Sequence, residues 1–220
     1  MSCALFKCRS SRHPRHMACM GKAVASVCRL WALRHDREAL KLEAAKLVGP
    51  KIPTRLRKIP DPFDDYAEDG ETKLAVPFYC QTDWYSCGAI AGWSVVETFH
   101  PKADFARFYR DCNPSPTEGM GETRLIRALR KHGVGVGIRR DFDFDSIAEA
   151  IESGYPIIAG VGHEFSDGDH WIIIYGVGYH PKRVFLANIV RPGCSREEFT
   201  WREFRSEWSS RGHGLMCWGK

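Results

Sequence analysis

Three apolar runs crowd into residues 155–190: YPIIAGVG (155–162), HWIIIYGVGY (170–179) and RVFLANIV (183–190). Each is short, rich in β-branched residues and bounded by Gly, Pro or charge, so the three are predicted to be strands of one buried sheet. This constrains the fold more than any other feature. Seven Trp, twelve Phe and seven Tyr supply enough bulk for a sizeable core.

The segments before these runs read as helices. After Cys87, positions Ala89, Gly92, Trp93, Val96 and Phe99 repeat at helical spacing. ETRLIRALRKHG (122–133) is a second predicted helix, stopped by Gly133. VGVGIR (134–139) is a short strand. SIAEAIESG (146–154) is a third helix, with Ser146 and Glu149 spaced as a capping box. Downstream, TWREFRSEW aligns Trp201, Phe204 and Trp208 on a last helix, and HGLMCW (213–218) reads as a final edge strand. Helices that largely precede strands give an α+β class. No internal repeat is visible.

Charge divides the chain. The formal net charge is +5, but residues 1–60 carry 14 Lys/Arg against 3 Asp/Glu (+11), and residues 61–220 carry 18 against 24 (−6). Residues 1–73 therefore read as a basic N-terminal extension and linker, partly helical at 36–48 (DREALKLEAAKLV) and otherwise disordered. Residues 74–220 form the predicted domain. A basic front end can attract nucleic acid, anionic lipid or an acidic partner, or stay a solvated tail. It could also lie in the groove as an inhibitor. Met17 and Met20 are alternative starts, and the acid-free first 35 residues also suit an organelle transit peptide. No apolar run approaches the ~20 residues a membrane helix needs. Nine cysteines, an odd number without regular pairing, point to a reducing, cytoplasmic compartment, with organelle targeting or specialised secretion as alternatives. Cys3, Cys8, His13, His16 and Cys19 are zinc-ligand types, but their spacing matches no compact knuckle, so no metal is expected.

The chemistry concentrates in FYCQTDWYSCGAIAGW (78–93). A nucleophilic cysteine needs a lowered pKa, a base and an oxyanion site. Cys87 falls at a predicted helix N-terminus, where backbone N–H groups and the helix dipole favour a thiolate. Gly88 allows close backbone packing. Gln81, six residues upstream, can pair its side-chain amide with the Cys87 N–H as oxyanion donors. His170, following the turn-like SDGD and opening a strand, is the best-placed base. Asn188, at a break in the next strand, can orient the imidazole. Asp167 and Asp169 are rivals for that third role, although a sequence neighbour points away in a strand. Cys80 reads as core, and His163 and His180 as loop residues. Trp84, Tyr85, Gly88, Asp169 and Trp171 are the candidate substrate-contacting residues; Trp84 and Tyr85 could equally be ordinary packing.

Gln81 through the CG at 87–88, DHWIIIYGV at 169–177 and ANIVRP at 187–192 resemble the papain-like cysteine peptidases. More narrowly, they resemble the bacteriocin-processing, double-glycine leader peptidases and their freestanding relatives. The resemblance covers roughly residues 74–192. It implies a papain-like fold in which a helical part carrying the nucleophile packs on a mostly antiparallel sheet. It also implies hydrolysis of a peptide bond through a thioester, with Cys87 as nucleophile, His170 as base, Asn188 as orienting residue and Gln81 as oxyanion donor. The partner would be a peptide or protein substrate, and no cofactor is needed. Asn188-Ile189 stands where those leader peptidases usually carry Asp-Pro, although papain itself uses an asparagine. They are also usually fused to a membrane transporter, which is not read here, so the double-glycine substrate is not carried over. The alternatives are a transglutaminase-type acyltransferase on the same fold and a non-catalytic peptide-binding module.

Overall fold

A computed structural model describes residues 58–59, 70–81, 83, 85–162, 170–189, 195–208 and 212–220. All lie within the unit Val48–Lys220. The predicted helix at 36–48, the basic extension around it and the Cys/His group at 3–19 fall outside the described residues.

The architecture is α+β. Six strands run in the spatial order β4 (Val134–Arg139), β9 (Gly214–Gly219), β5 (Ile157–Val161), β6 (His170–Tyr179), β7 (Lys182–Ile189) and β8 (Ser195–Thr200). A seventh, β2 (Glu71–Lys73), pairs with the far half of β6 at Gly176–Gly178. All pairings in this sheet are antiparallel. A separate two-stranded ribbon joins β1 (Lys58–Ile59) to β3 (Phe78–Tyr79). Residues 58–59 and 71–72, expected within the linker, both pair as strands. The three apolar runs do become β5, β6 and β7. Every residue from Ile172 to Gly178 is buried, as expected for a strand covered on both faces.

Helices supply that cover. On one face, α1 (Cys87–Phe99), α2 (Phe105–Cys112) and α3 (Glu122–Lys131) share a core with Ile173, Tyr175 and Phe185. On the other, α4 (Phe144–Glu152) and α5 (Trp201–Glu207) bury Ile172, Ile174 and Leu186. The predicted α5 stripe is present, with Trp201, Phe204 and Trp208 in ring contact. Thr200 and Glu203 form its capping box.

Four local expectations change. HGLMCW is not an edge: β9 lies between β4 and β5, and β4 takes the edge. The α4 cap is Asp143, whose carboxylate accepts from the Ser146 N–H while Ser146 Oγ accepts from the Asp143 N–H. Ser146 is therefore the N3 residue that closes the box, not its start. α2 was not anticipated; Asp104 caps it by accepting from Ala106 and Arg107. Finally, α1 is buried on all sides from Cys87 to Val96. A helix apolar all round belongs between layers, and this one is covered by the sheet, α2 and α3.

Candidate active site

The site grows from the first turn of α1. Cys87 is the first helical residue and is 6 % exposed. Gly88 follows because there is no room for a side chain. A Cβ there would lie 2.9 Å from Trp171 Cδ1 and 3.1 Å from Met120 Cβ. Trp171 in turn donates its indole N–H to the Met120 carbonyl at 2.7 Å. The start of α1, the start of β6 and the loop before α3 are thus locked together.

The Cys87 sulfur lies against the backbone N–H of Trp171, the residue next to His170. His170 opens β6 opposite Val161 and is 5 % exposed. The predicted cysteine and the start of the predicted histidine's strand therefore meet. One expectation reverses. Burial pushes the Cys87 thiol above its ordinary pKa, and the negative charge of Asp83 adds to that push. The N–H groups of Trp171, Gly88 and Cys87 itself pull the other way and are outweighed. The helix start favours the thiolate as expected, but desolvation of a nearly closed site dominates.

Gln81 is half-buried and donates its side-chain amide to the Asp83 carbonyl at 2.6 Å. Asp83 Oδ1 accepts from the Tyr85 and Ser86 N–H groups at 2.9 and 2.7 Å. Asp83 was not among the expected site residues; its signal in the sequence is an aspartate three residues before the helix cap, in DWYS. No local pattern marks Met120. Ser86, the N-cap, forms no side-chain cap. Its hydroxyl is fully buried near that of Tyr109 on α2. Tyr85 is buried, which fits packing better than an open groove wall. Trp171 is half-buried.

Asn188 is described by its backbone alone. The β7–β8 register steps from Ala187↔Arg196 to Ile189↔Ser195, so Asn188 is the extra residue of a bulge. Trp84, His163, Asp167 and Asp169 lie outside the described residues. Cys80 is half-buried and disulfide-bonded instead of a free core thiol. A cleft of about 480 Å³ adjoins Met120, lined by Glu118, Gly121, Glu122, Thr123, Arg124 and Arg127. Among the described residues no cluster of His, Cys, Asp or Glu could hold a metal ion, and no helix is long and apolar enough to cross a membrane.

No protein-family profile matches the chain, and no curated protein matches it in sequence. Its fold is nevertheless that of solved peptidase domains. One similar structure is a double glycine motif protease from an AMS/PCAT transporter in complex with the leader peptide. It shows 15 % identity and a TM-score of 0.53, covering 68 % of this chain and 95 % of that one. Another is the peptidase domain of Streptococcus ComA, a bifunctional ABC transporter involved in quorum sensing (16 %, TM-score 0.51, 68 % and 98 %). A third is described as a C39-like peptidase from Bacillus anthracis (11 %, TM-score 0.56, 69 % and 99 %).

Proposed function

We propose that the chain is a cysteine peptidase whose nucleophile is Cys87. One observation carries this reading: the Cys87 sulfur lies against the Trp171 N–H, one residue from His170. His170 takes the thiol proton as the sulfur attacks the scissile carbonyl carbon. The oxyanion is stabilised by the Gln81 amide and the Cys87 N–H. Collapse breaks the C–N bond, the amine leaves with the proton from His170, and water hydrolyses the thioester.

Asn188 orients the imidazole. What supports this role is that Asn188 belongs to β7, the strand paired with the one His170 opens. The fold supports a peptide substrate, since a neighbour of the same architecture was solved with a leader peptide.

A raised thiol pKa fits a nucleophile that is protonated at rest and gives up its proton as it attacks. The test is a proteome-derived peptide library incubated with the wild type and with Cys87→Ala, read by mass spectrometry. New peptide termini should accumulate with the wild type alone. Equal cleavage by the variant, or none by either, rejects the reading.

A further inference from the structure

Three hydrogen bonds converge on a residue to which the peptidase reading gives no role. Among the described residues between Gln81 and Cys87 (Asp83, Tyr85 and Ser86) none is helical or in a strand, and a long amide beside such a segment has many rotamers to lose on ordering. We propose that Asp83 is the positioning residue of this site, its main-chain carbonyl fixing the Gln81 amide and its carboxylate tying down the two peptide N–H groups that lead into Cys87. This inference rests on the peptidase reading above.

An amide nitrogen carries two hydrogens. Anchoring one on the Asp83 carbonyl at 2.6 Å fixes the amide plane and hence the direction of the other. At the same time the Asp83 carboxylate closes an Asx turn on Tyr85 and Ser86. It does what the N-cap does not, because Ser86 makes no side-chain cap. One residue thus ties the proposed oxyanion donor and the nucleophile's helix into one rigid unit. Such preorganisation is where an enzyme gains most from a fixed geometry.

The carboxylate also carries an electrostatic cost. Among the described residues, the titratable groups on which its charge acts are Cys87 on α1 and Tyr109 on α2. Its charge works with burial to raise both Cys87 and Tyr109. A neutral residue would hold the thiol proton less firmly, so the positioning role separates experimentally from the charge.

The test follows alkylation of Cys87 by iodoacetamide against pH, quantified by mass spectrometry, in the full chain and in D83N, D83A and D104N. D104N removes an equivalent capping charge from α2, remote from the thiol. The midpoint should fall by about half a unit or more in D83N and stay put in D104N. With a peptide that the wild type cleaves, D83A should lose about tenfold or more in kcat with little change in KM. D83N keeps both the carbonyl and a side-chain acceptor and should retain most of kcat. Wild-type turnover by D83A overturns the proposal. If D83A does not fold, D83E, which keeps the charge but displaces the acceptor by one methylene, decides it: kcat should fall while the midpoint stays near that of the wild type, and wild-type turnover overturns the proposal. Should the wild type cleave no peptide, the peptidase reading fails, while a moved midpoint still upholds Asp83's hold on the thiol.

Discussion

A single missing side chain decides whether the two halves of the candidate site can touch. At Gly88 the Trp171 indole edge and the Met120 side chain occupy the volume a methyl group would take. Both neighbours are fixed, since the indole N–H is bonded to the Met120 carbonyl. Gly88→Ala should therefore separate the α1 start from β6 more than it unfolds the domain. Overpacking of this kind costs about 1–3 kcal/mol, and a displacement of ~1 Å at a reacting centre can cost about 100-fold in rate. The expected outcome is a lowered kcat/KM with a thermal transition that remains cooperative; wild-type kcat/KM would show that the contact does not matter. The sequence carried Cys87, Gly88, Gln81 and His170 as local patterns: a thiol at a helix start, a glycine after it, an amide upstream, an imidazole opening a strand. It did not carry the protonation state. Dipole and N–H groups are local and legible, whereas burial depends on what α2, β6 and the Met120 loop bring over the thiol.

At the level of elements, β6 organises the molecule. It pairs with β5, β7 and β2 along its length, presents alternate residues to two helical layers, and begins at His170. Its apolar run was readable because a strand covered on both faces has no polar period to obscure it. The position of β9 was not readable, because HGLMCW has the same local character whether it lies at an edge or between β4 and β5. α2 escaped because its eight residues, FARFYRDC, mix aromatic and charged side chains over too short a span for a periodic signal. Glycine content gives a test of the β4–β9 pairing. Gly135 lies opposite Trp218, and a Cβ there would come within 2.1 Å of its indole Nε1. The indole would have to be displaced to admit a methyl group. Gly135→Ala should lower the stability by about 1–3 kcal/mol, measured as the urea midpoint at unchanged m-value. An equal or higher midpoint would mean that Trp218 does not pack across β4.

At the scale of the whole molecule, the shifted thiols and phenols among the described residues move in one direction. Burial pushes the thiols of Cys87, Cys112 and Cys217 and the phenol of Tyr109 upward. Tyr79 rises too, first through burial and then through its bond to Glu97, and Tyr179 is held up at about 12, chiefly by its bond to Glu152. Each of these groups is neutral when protonated, and each ionises more readily in the unfolded chain. Their contribution to stability is therefore complete below the ordinary thiol pKa of 9.0 and is lost as pH rises past it. The opposite shift belongs to Asp111, lowered by Lys131 and His132, and to the capping carboxylates Asp143 and Glu203, lowered by Ser146 and Thr200. Their contribution is present above the usual carboxylate range and is lost in acid, but all three are solvent-accessible, so it is screened. Stability should accordingly be flat through neutral pH and fall more steeply on the alkaline side than on the acid side. Thermal unfolding followed by circular dichroism from about pH 4 to about pH 11 measures both limbs. A combined Cys112→Ala and Cys217→Ala variant separates titration from packing. Its cavities lower Tm at every pH, while the missing thiols make the alkaline limb shallower. A wild-type Tm that holds steady above pH 9.0, or an alkaline slope unchanged in the double variant, would place the alkaline sensitivity elsewhere than in the buried thiols.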